Sequence, residues 1–148
     1  MLAIYDTSTN FLNVHEWAYG VTEVILIACM ALGIGLIALL DLRLLGVNVG
    51  GATPERLVRA TMLGSIVGLV LAITTGMMIF STDPVRYVYH PTMQFKIVVL
   101  MAALAFNFTI HNRIAKRGDP AGAGYLVAGI SLLLWVTVVF SGLFYAFT

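Results

Sequence analysis

Formally charged residues are scarce in this 148-residue chain. Eight residues are Lys or Arg and seven are Asp or Glu, together 10% of the sequence, whereas 60% of the residues are apolar. So low a charged fraction excludes an ordinary soluble domain. It also excludes nucleic acid as a partner, because a nucleic-acid-binding surface needs clustered basic side chains. The composition predicts a membrane protein.

Cysteine and catalytic motifs are equally scarce. Cys29 is the single cysteine, which excludes internal disulfides and multi-cysteine metal or iron–sulfur sites. The sequence has no Ser–His–acid order, HExxH, P-loop or GxGxxG motif, so we predict no catalytic residues and no dedicated metal site. A non-catalytic role is favoured over an enzymatic one, and both are kept open.

Four apolar stretches are long enough to cross a bilayer, for which a helix needs about 20 residues. We predict helices over residues 15–45, 56–81, 91–113 and 121–147. The expected fold class is all-α, with residues 1–148 forming a single transmembrane domain, an integral membrane four-helix bundle. Small residues recur on one face of the second helix and predict close packing against a neighbouring helix: Thr61, Gly64, Gly68, Ala72 and Thr75.

The basic residues are distributed unevenly among the links between these helices. Six of the eight flank the first and third links: Arg43, Arg56, Arg59, Arg113, Lys116 and Arg117. The second link has only Arg86, and the amino-terminal segment has none. Because Lys and Arg concentrate on the cytoplasmic side, both termini are predicted on the outer side. We expect a multi-pass protein of the bacterial cytoplasmic (inner) membrane, with the lipid bilayer around it.

Polar residues within the first and third helices are spaced to share a face. Lys96, Asn107 and His111 fall on one face of the third helix because steps of three and four residues return to the same side. Glu23 and Asp41 are eighteen residues apart, which is five helical turns, so they share a face of the first helix about 27 Å apart. These faces are predicted to point into the bundle.

Glu23 and Lys96 are predicted to lie at the same depth. Glu23 precedes Asp41 by eighteen residues and Lys96 precedes Arg113 by seventeen, so their levels agree within about 2 Å if the inner charges share a depth. A single ion at this depth would be costly. We therefore predict an ion pair or hydrogen bond between Glu23 and Lys96, with either a structural or a proton-handling role.

A second polar group is predicted at the inner end of the bundle. Its expected members come from all of the first three helices: Asp41, Arg43, Arg59, Asn107, His111 and Arg113. The favoured interpretation is a charge network that holds the helix ends together, and the alternative is a functional site.

The three histidines are the candidate cofactor ligands. His15 and His90 belong to the outer end and His111 belongs to the inner end. A haem b iron takes one or two imidazoles, often from facing helices of a bundle. His15 with His90, or His111 alone, could therefore ligate a haem, although the cofactor is left unassigned. Copper is the other option, because thioethers suit Cu(I) and three methionines lie near the outer ends: Met77, Met78 and Met93.

Three elements carry a family resemblance: DLRLLG at 41–46, TGMMIFSTDPVRYVYHPTMQFK at 75–96, and Asn107 with His111. Together they resemble an uncharacterised family of small bacterial four-helix membrane proteins known only as a domain of unknown function. More distantly, the chain is similar in layout to copper-resistance-D-type membrane proteins and to haem-binding protoporphyrinogen oxidases of the HemJ type. The HemJ type has a histidine early in its first helix and a lysine early in its third. Lys96 matches that lysine, but Leu26 occupies the place where we would look for the histidine.

These observations predict a small subunit of a larger redox or energy-converting membrane complex, with larger membrane proteins as its partners. Its role would be structural or in electron transfer, with haem b or quinone contact compatible with the sequence. Two alternatives are a stand-alone haem- or porphyrin-handling oxidoreductase and a small copper or solute transporter.

Overall fold

A computed structural model describes residues 7–117 and 123–147 of the chain. Over these residues the chain is helical and contains no strand, which confirms the predicted all-α class. A 3-10 turn, Thr7–Thr9, precedes α1, Phe11–Val14. The remaining helices are α2, Glu16–Leu44; α3, Pro54–Phe80; α4, Pro84–Tyr89; α5, Pro91–Phe106; α6, Asn112–Arg117; and α7, Ala123–Phe147. A π-helical turn, Asn107–His111, joins α5 to α6.

Four helical segments are long and apolar enough to cross a membrane: Glu16–Leu44, Glu55–Phe80, Pro91–Ile114 and Ala123–Tyr145. The chain is therefore a multi-pass membrane protein and a four-helix bundle, as the sequence predicts. We call α5, the π-helical turn and α6 together the third span. Residues 1–6, 118–122 and 148 lie outside the described residues, and these include the predicted first two residues of the fourth helix.

Proline and capping side chains determine where several helices begin. α3, α4 and α5 each start with a proline, whose missing N–H costs nothing in the first helical turn. The side chains of Thr53 and Asp83 accept hydrogen bonds from backbone amides three residues later, at 3.3 and 3.2 Å. α2 ends where Gly46 adopts a positive φ of 94°, a conformation that glycine adopts without steric cost.

The four spans pack in the order α3, α2, α7 and the third span. α2 packs against α3 and α7, α5 packs against α7, and α6 closes the bundle against α3. The α2–α3 contact is close because two glycines meet there: a Cβ atom on Gly68 would lie 2.8 Å from the backbone nitrogen of Gly33. This contact uses the face of small residues that the sequence predicted for the second helix.

Two layers of apolar side chains form the core. We call the end of the bundle at the first link the inner end. The inner apolar layer is formed by Leu40, Leu44, Leu57, Val58 and Ala128. The central apolar layer takes residues from all four spans: Ile37, Leu69, Ala103, Trp135 and Val138.

Short segments that the sequence analysis did not predict as helices cover the outer end. The side-chain amide of Asn10 donates to the backbone carbonyl of Ser81 at 3.0 Å, and that of Asn13 donates to the carbonyl of Thr82 at 2.9 Å. These two bonds attach α1 to the outer end of α3.

Candidate functional site

A layer of buried polar side chains lies between the inner and central apolar layers. On α7, Ser131 lies between two apolar residues of the same helix face. Ala128 of the inner layer precedes it by three residues, and Trp135 of the central layer follows it by four. α3 repeats this order with Val58 of the inner layer, the hydroxyl residues Thr61 and Ser65, and Leu69 of the central layer. We call the following residues the polar layer, all of them at most 8% exposed: Asp41, Thr61, Ser65, Asn107, His111 and Ser131.

Asp41 is the centre of the polar layer. One of its carboxylate oxygens, Oδ1, is in hydrogen-bond contact with Nε2 of His111. The other oxygen, Oδ2, accepts a hydrogen bond from the hydroxyl of Ser131 at 2.9 Å. All three residues are 0% exposed. One carboxylate therefore joins α2, the third span and α7 inside the bundle.

The π-helical turn positions two members of the layer. Its defining bond runs from the backbone amide of Asn112 to the carbonyl of Asn107, five residues earlier. Asn107 and His111 are both buried, so this turn directs both side chains inward. Single π-helical turns within longer helices are frequent at functional sites. Within residues 7–117 and 123–147, Oδ1 of Asn107 and Nδ1 of His111 are buried without a hydrogen-bond partner.

The order of the three hydrogen-bonded side chains limits their chemistry. Ser131 donates to the carboxylate of Asp41 rather than to the imidazole of His111, so the serine–imidazole contact of a catalytic triad is not formed. What the arrangement provides is a carboxylate and an imidazole in direct contact in a water-poor interior, where a proton can be held between them. Ionisable groups inside membrane spans are rare and mark proton relays or paired structural contacts.

Three arginines predicted for the inner network lie outside the polar layer. The guanidinium of Arg43 donates to the backbone carbonyl of Ala52. Arg59 forms an exposed ion pair with Glu55 at 3.0 Å, and Arg113 is exposed. Long basic side chains at helix ends reach the polar surroundings and avoid the cost of burying a guanidinium. Of the other predicted members, Asp41 and His111 are in hydrogen-bond contact, and Asn107 is buried in the same polar layer.

The predicted pair between Glu23 and Lys96 is not formed. Glu23 is exposed and Lys96 is half-buried, and among the described residues the Lys96 ammonium has no carboxylate within 4.0 Å. Lys96 lies instead against α7, where a Cβ atom on Gly142 would be 3.3 Å from its Nζ. The equal depth predicted for Glu23 and Lys96 is not sufficient for contact between them. α2, which carries Glu23, packs against α3 and α7, whereas Lys96 belongs to the contact between α5 and α7.

The two outer histidines precede α2 and α5 and contact aromatic rings. His15 stacks on Phe11 with ring centroids 4.7 Å apart. His90 meets Tyr145 edge-on at 4.8 Å. Within the described part of the chain, no group of three or more His, Cys, Asp or Glu side chains could hold a metal ion.

The surroundings of His111 do not fit a haem. Its Nε2 is engaged by Asp41. Two cavities lie in this part of the bundle, one of about 10 Å³ beside Asn107 and an apolar groove of about 180 Å³ between α2 and α7. Both are below the 300–1,000 Å³ typical of cofactor and ligand sites. We therefore assign no haem to the polar layer.

Three hydroxyl residues of the polar layer were not predicted as site residues: Thr61, Ser65 and Ser131. The sequence nevertheless contains a pattern that indicates them. In steps of three and four residues along one face of α3, the side chains change from apolar to polar and back to apolar: Val58, Thr61, Ser65 and Leu69. Ser131 occupies the same place in the pattern on α7. The same interruption on several helices indicates one shared polar layer.

The function of the chain is inferred from the geometry of the polar layer. No family model, curated protein or solved structure matches the chain.

Proposed function

We propose that the chain is a small subunit of a larger energy-converting complex in a bacterial cytoplasmic membrane, and that Asp41 and His111 hold and exchange a proton there. The observation that carries the proposal is the contact between a fully buried carboxylate and a fully buried imidazole inside a membrane-spanning bundle. Either group alone would be costly to keep ionised at that depth. Together they can carry one shared proton at a much lower cost.

Ser131 orients the carboxylate of Asp41 for proton exchange with His111. Its hydroxyl donates to Oδ2 and leaves Oδ1 facing the imidazole. This hydrogen bond fixes the orientation of the carboxylate. The direct contact between Oδ1 and Nε2 of His111 then provides the path for a proton to pass between the two side chains.

The apolar layers support a subunit rather than a free-standing transporter. The central apolar layer takes side chains from all four spans and lies directly on the outer side of the polar layer. Among the described residues, the buried side chains next to His111 on this side are therefore apolar. The inner apolar layer covers part of the other side. Proton movement through the whole membrane requires groups from a partner, which is why we place the chain in a larger complex.

In this proposal, the partner subunits bind any redox cofactor. Because Nε2 of His111 is engaged and the neighbouring cavities are small, we place any haem b or quinone in a partner subunit. The polar layer would accept or supply the proton that accompanies electron transfer there. The haem-handling and copper-handling alternatives stay predictions from the sequence alone.

Isolation of the chain from native membranes tests this proposal. A tagged wild-type chain should be extracted in mild detergent with stoichiometric membrane partners. In Asp41→Asn the complex should assemble, while its proton-coupled turnover falls by about a hundredfold, as for loss of a proton-transfer group. Glu55→Gln is the matched control, because it neutralises an exposed carboxylate. Extraction of the chain without partners, or wild-type turnover in Asp41→Asn, would contradict the proposal.

A further inference from the structure

A small cavity lies beside the polar layer, between α2, α3 and the third span. Its volume is about 10 Å³, and its polar lining residues are Thr61, Ser65, Asn107 and Asn112. About this much space is needed to hold a single water molecule, provided that the water finds two to four polar partners. The cavity thus has the size and the lining of a site for one water.

The hydrogen bonds around the cavity show what its occupant must supply. The hydroxyl of Thr61 donates to the carbonyl of Leu57 at 2.8 Å, and the hydroxyl of Ser65 donates to the carbonyl of Thr61 at 2.9 Å. Both hydroxyl hydrogens are therefore used, and only oxygen lone pairs are left. Oδ1 of Asn107 is also an acceptor, and it is buried without a partner among the described residues. The missing component is a hydrogen-bond donor.

We propose that this cavity binds one ordered water molecule, which donates one hydrogen bond to Oδ1 of Asn107 and the other to the hydroxyl oxygen of Thr61 or Ser65. A buried amide oxygen without a donor is destabilising, and an internal water is the usual means of satisfying it. A metal ion suits the site less well, because no carboxylate lines the cavity and hard cations take several oxygen ligands.

The water has a structural consequence. Asn107 is the first residue of the π-helical turn, whereas Thr61 and Ser65 belong to α3. A water bound to both sides links α3 to the turn that carries His111. The site is independent of proton exchange by Asp41 and His111, so either inference can fail while the other holds.

Water-edited solid-state NMR of the full wild-type chain in lipid bilayers tests for the water directly. With asparagine labelled in its side-chain amide, magnetisation should pass from water to Asn107. The side chain of Asn48, in the exposed first link, is the positive control. Transfer to Asn48 but not to Asn107 would overturn the proposal.

A pair of isosteric substitutions on α3 provides a second test. Thr61 and Thr74 both donate to the carbonyl four residues earlier at 2.8 Å, but Thr74 is exposed. With a bound water, Thr61→Val should lower the midpoint of unfolding more than Thr74→Val does, because it removes a water partner as well as the backbone bond. In a dry cavity the added methyl group would fill space, so a midpoint for Thr61→Val equal to or above that of Thr74→Val would contradict a bound water. If Thr61→Val does not fold, the NMR measurement on the wild-type chain decides.

Discussion

Asp41 is hydrogen-bonded to side chains of two different spans, so its removal leaves two buried groups without that partner. We expect Asp41→Ala to reduce the free energy of unfolding by about 3–5 kcal/mol, the range found when one member of a buried pair is lost. Reversible unfolding in mixed micelles would measure this change. Glu55→Ala removes an exposed carboxylate from an ion pair and should cost less than about 1 kcal/mol. Equal losses in the two variants would show that Asp41 is not a central contact.

Replacement of both partners should be tolerated better than replacement of one. Asp41→Leu leaves His111 buried without its acceptor, whereas the double variant Asp41→Leu/His111→Leu leaves an apolar contact in its place. Buried pairs can often be replaced by apolar residues of similar volume without loss of stability. The double variant should therefore be more stable than Asp41→Leu, by about 1–3 kcal/mol for a restored buried contact. A double-mutant cycle with additive losses would argue that the two side chains are not coupled.

Spacing along the sequence predicted part of the site. Asp41, Asn107 and His111 could be placed on inward faces because polar residues in apolar helices are few and helical steps are regular. The arginines could not be excluded, because sequence position does not show whether a long side chain turns into the bundle or toward the polar surroundings. The serine and threonine hydroxyls were not assigned, because such groups also satisfy themselves on the carbonyls of their own helix, as Thr61 and Ser65 do.

At the scale of elements, the close approach of α2 and α3 depends on glycine. A Cβ atom on Gly68 would lie 2.8 Å from the backbone nitrogen of Gly33, which is backbone rather than a flexible side chain. Gly68→Ala should therefore destabilise the bundle by about 1–3 kcal/mol through overpacking. Thermal unfolding would measure this. Gly129→Ala on α7 is the control, since a Cβ there meets no atom within 4 Å; it should be neutral or stabilise by up to about 1 kcal/mol through helix propensity. A neutral Gly68→Ala would contradict the close contact.

The helices themselves were predictable because about 20 consecutive apolar residues leave the backbone few alternatives in a membrane. The π-helical turn at Asn107–His111 was not, because an extra residue in one turn depends on packing against neighbours rather than on local sequence. The order of the helices around the bundle was also not predictable. Without that order, the equal depth predicted for Glu23 and Lys96 could not show whether the two side chains meet.

At the scale of the molecule, polar and apolar layers alternate along the bundle, and the distribution of basic residues predicts which end faces the cytoplasm. Cysteine labelling in a Cys29→Ala background tests this orientation. Val47→Cys places a thiol in the exposed first link, and Tyr89→Cys places one in the exposed second link. A membrane-impermeant maleimide should label Tyr89→Cys in intact spheroplasts but Val47→Cys only after lysis. The reverse pattern would place the polar layer near the outer surface.

The central claim is that Asp41 and His111 share an exchangeable proton. The most direct measurement is the ¹⁵N spectrum of the histidine-labelled full chain in bilayers, compared between the wild-type chain and Asp41→Asn. The account predicts that the Nε2 resonance of His111 in the wild-type chain lies between those of a protonated and an unprotonated ring nitrogen, because the proton is shared with Oδ1 of Asp41, and that it moves to one of these two limits in Asp41→Asn. An Nε2 resonance at one limit in both proteins would contradict the claim and leave the polar layer with a structural role alone.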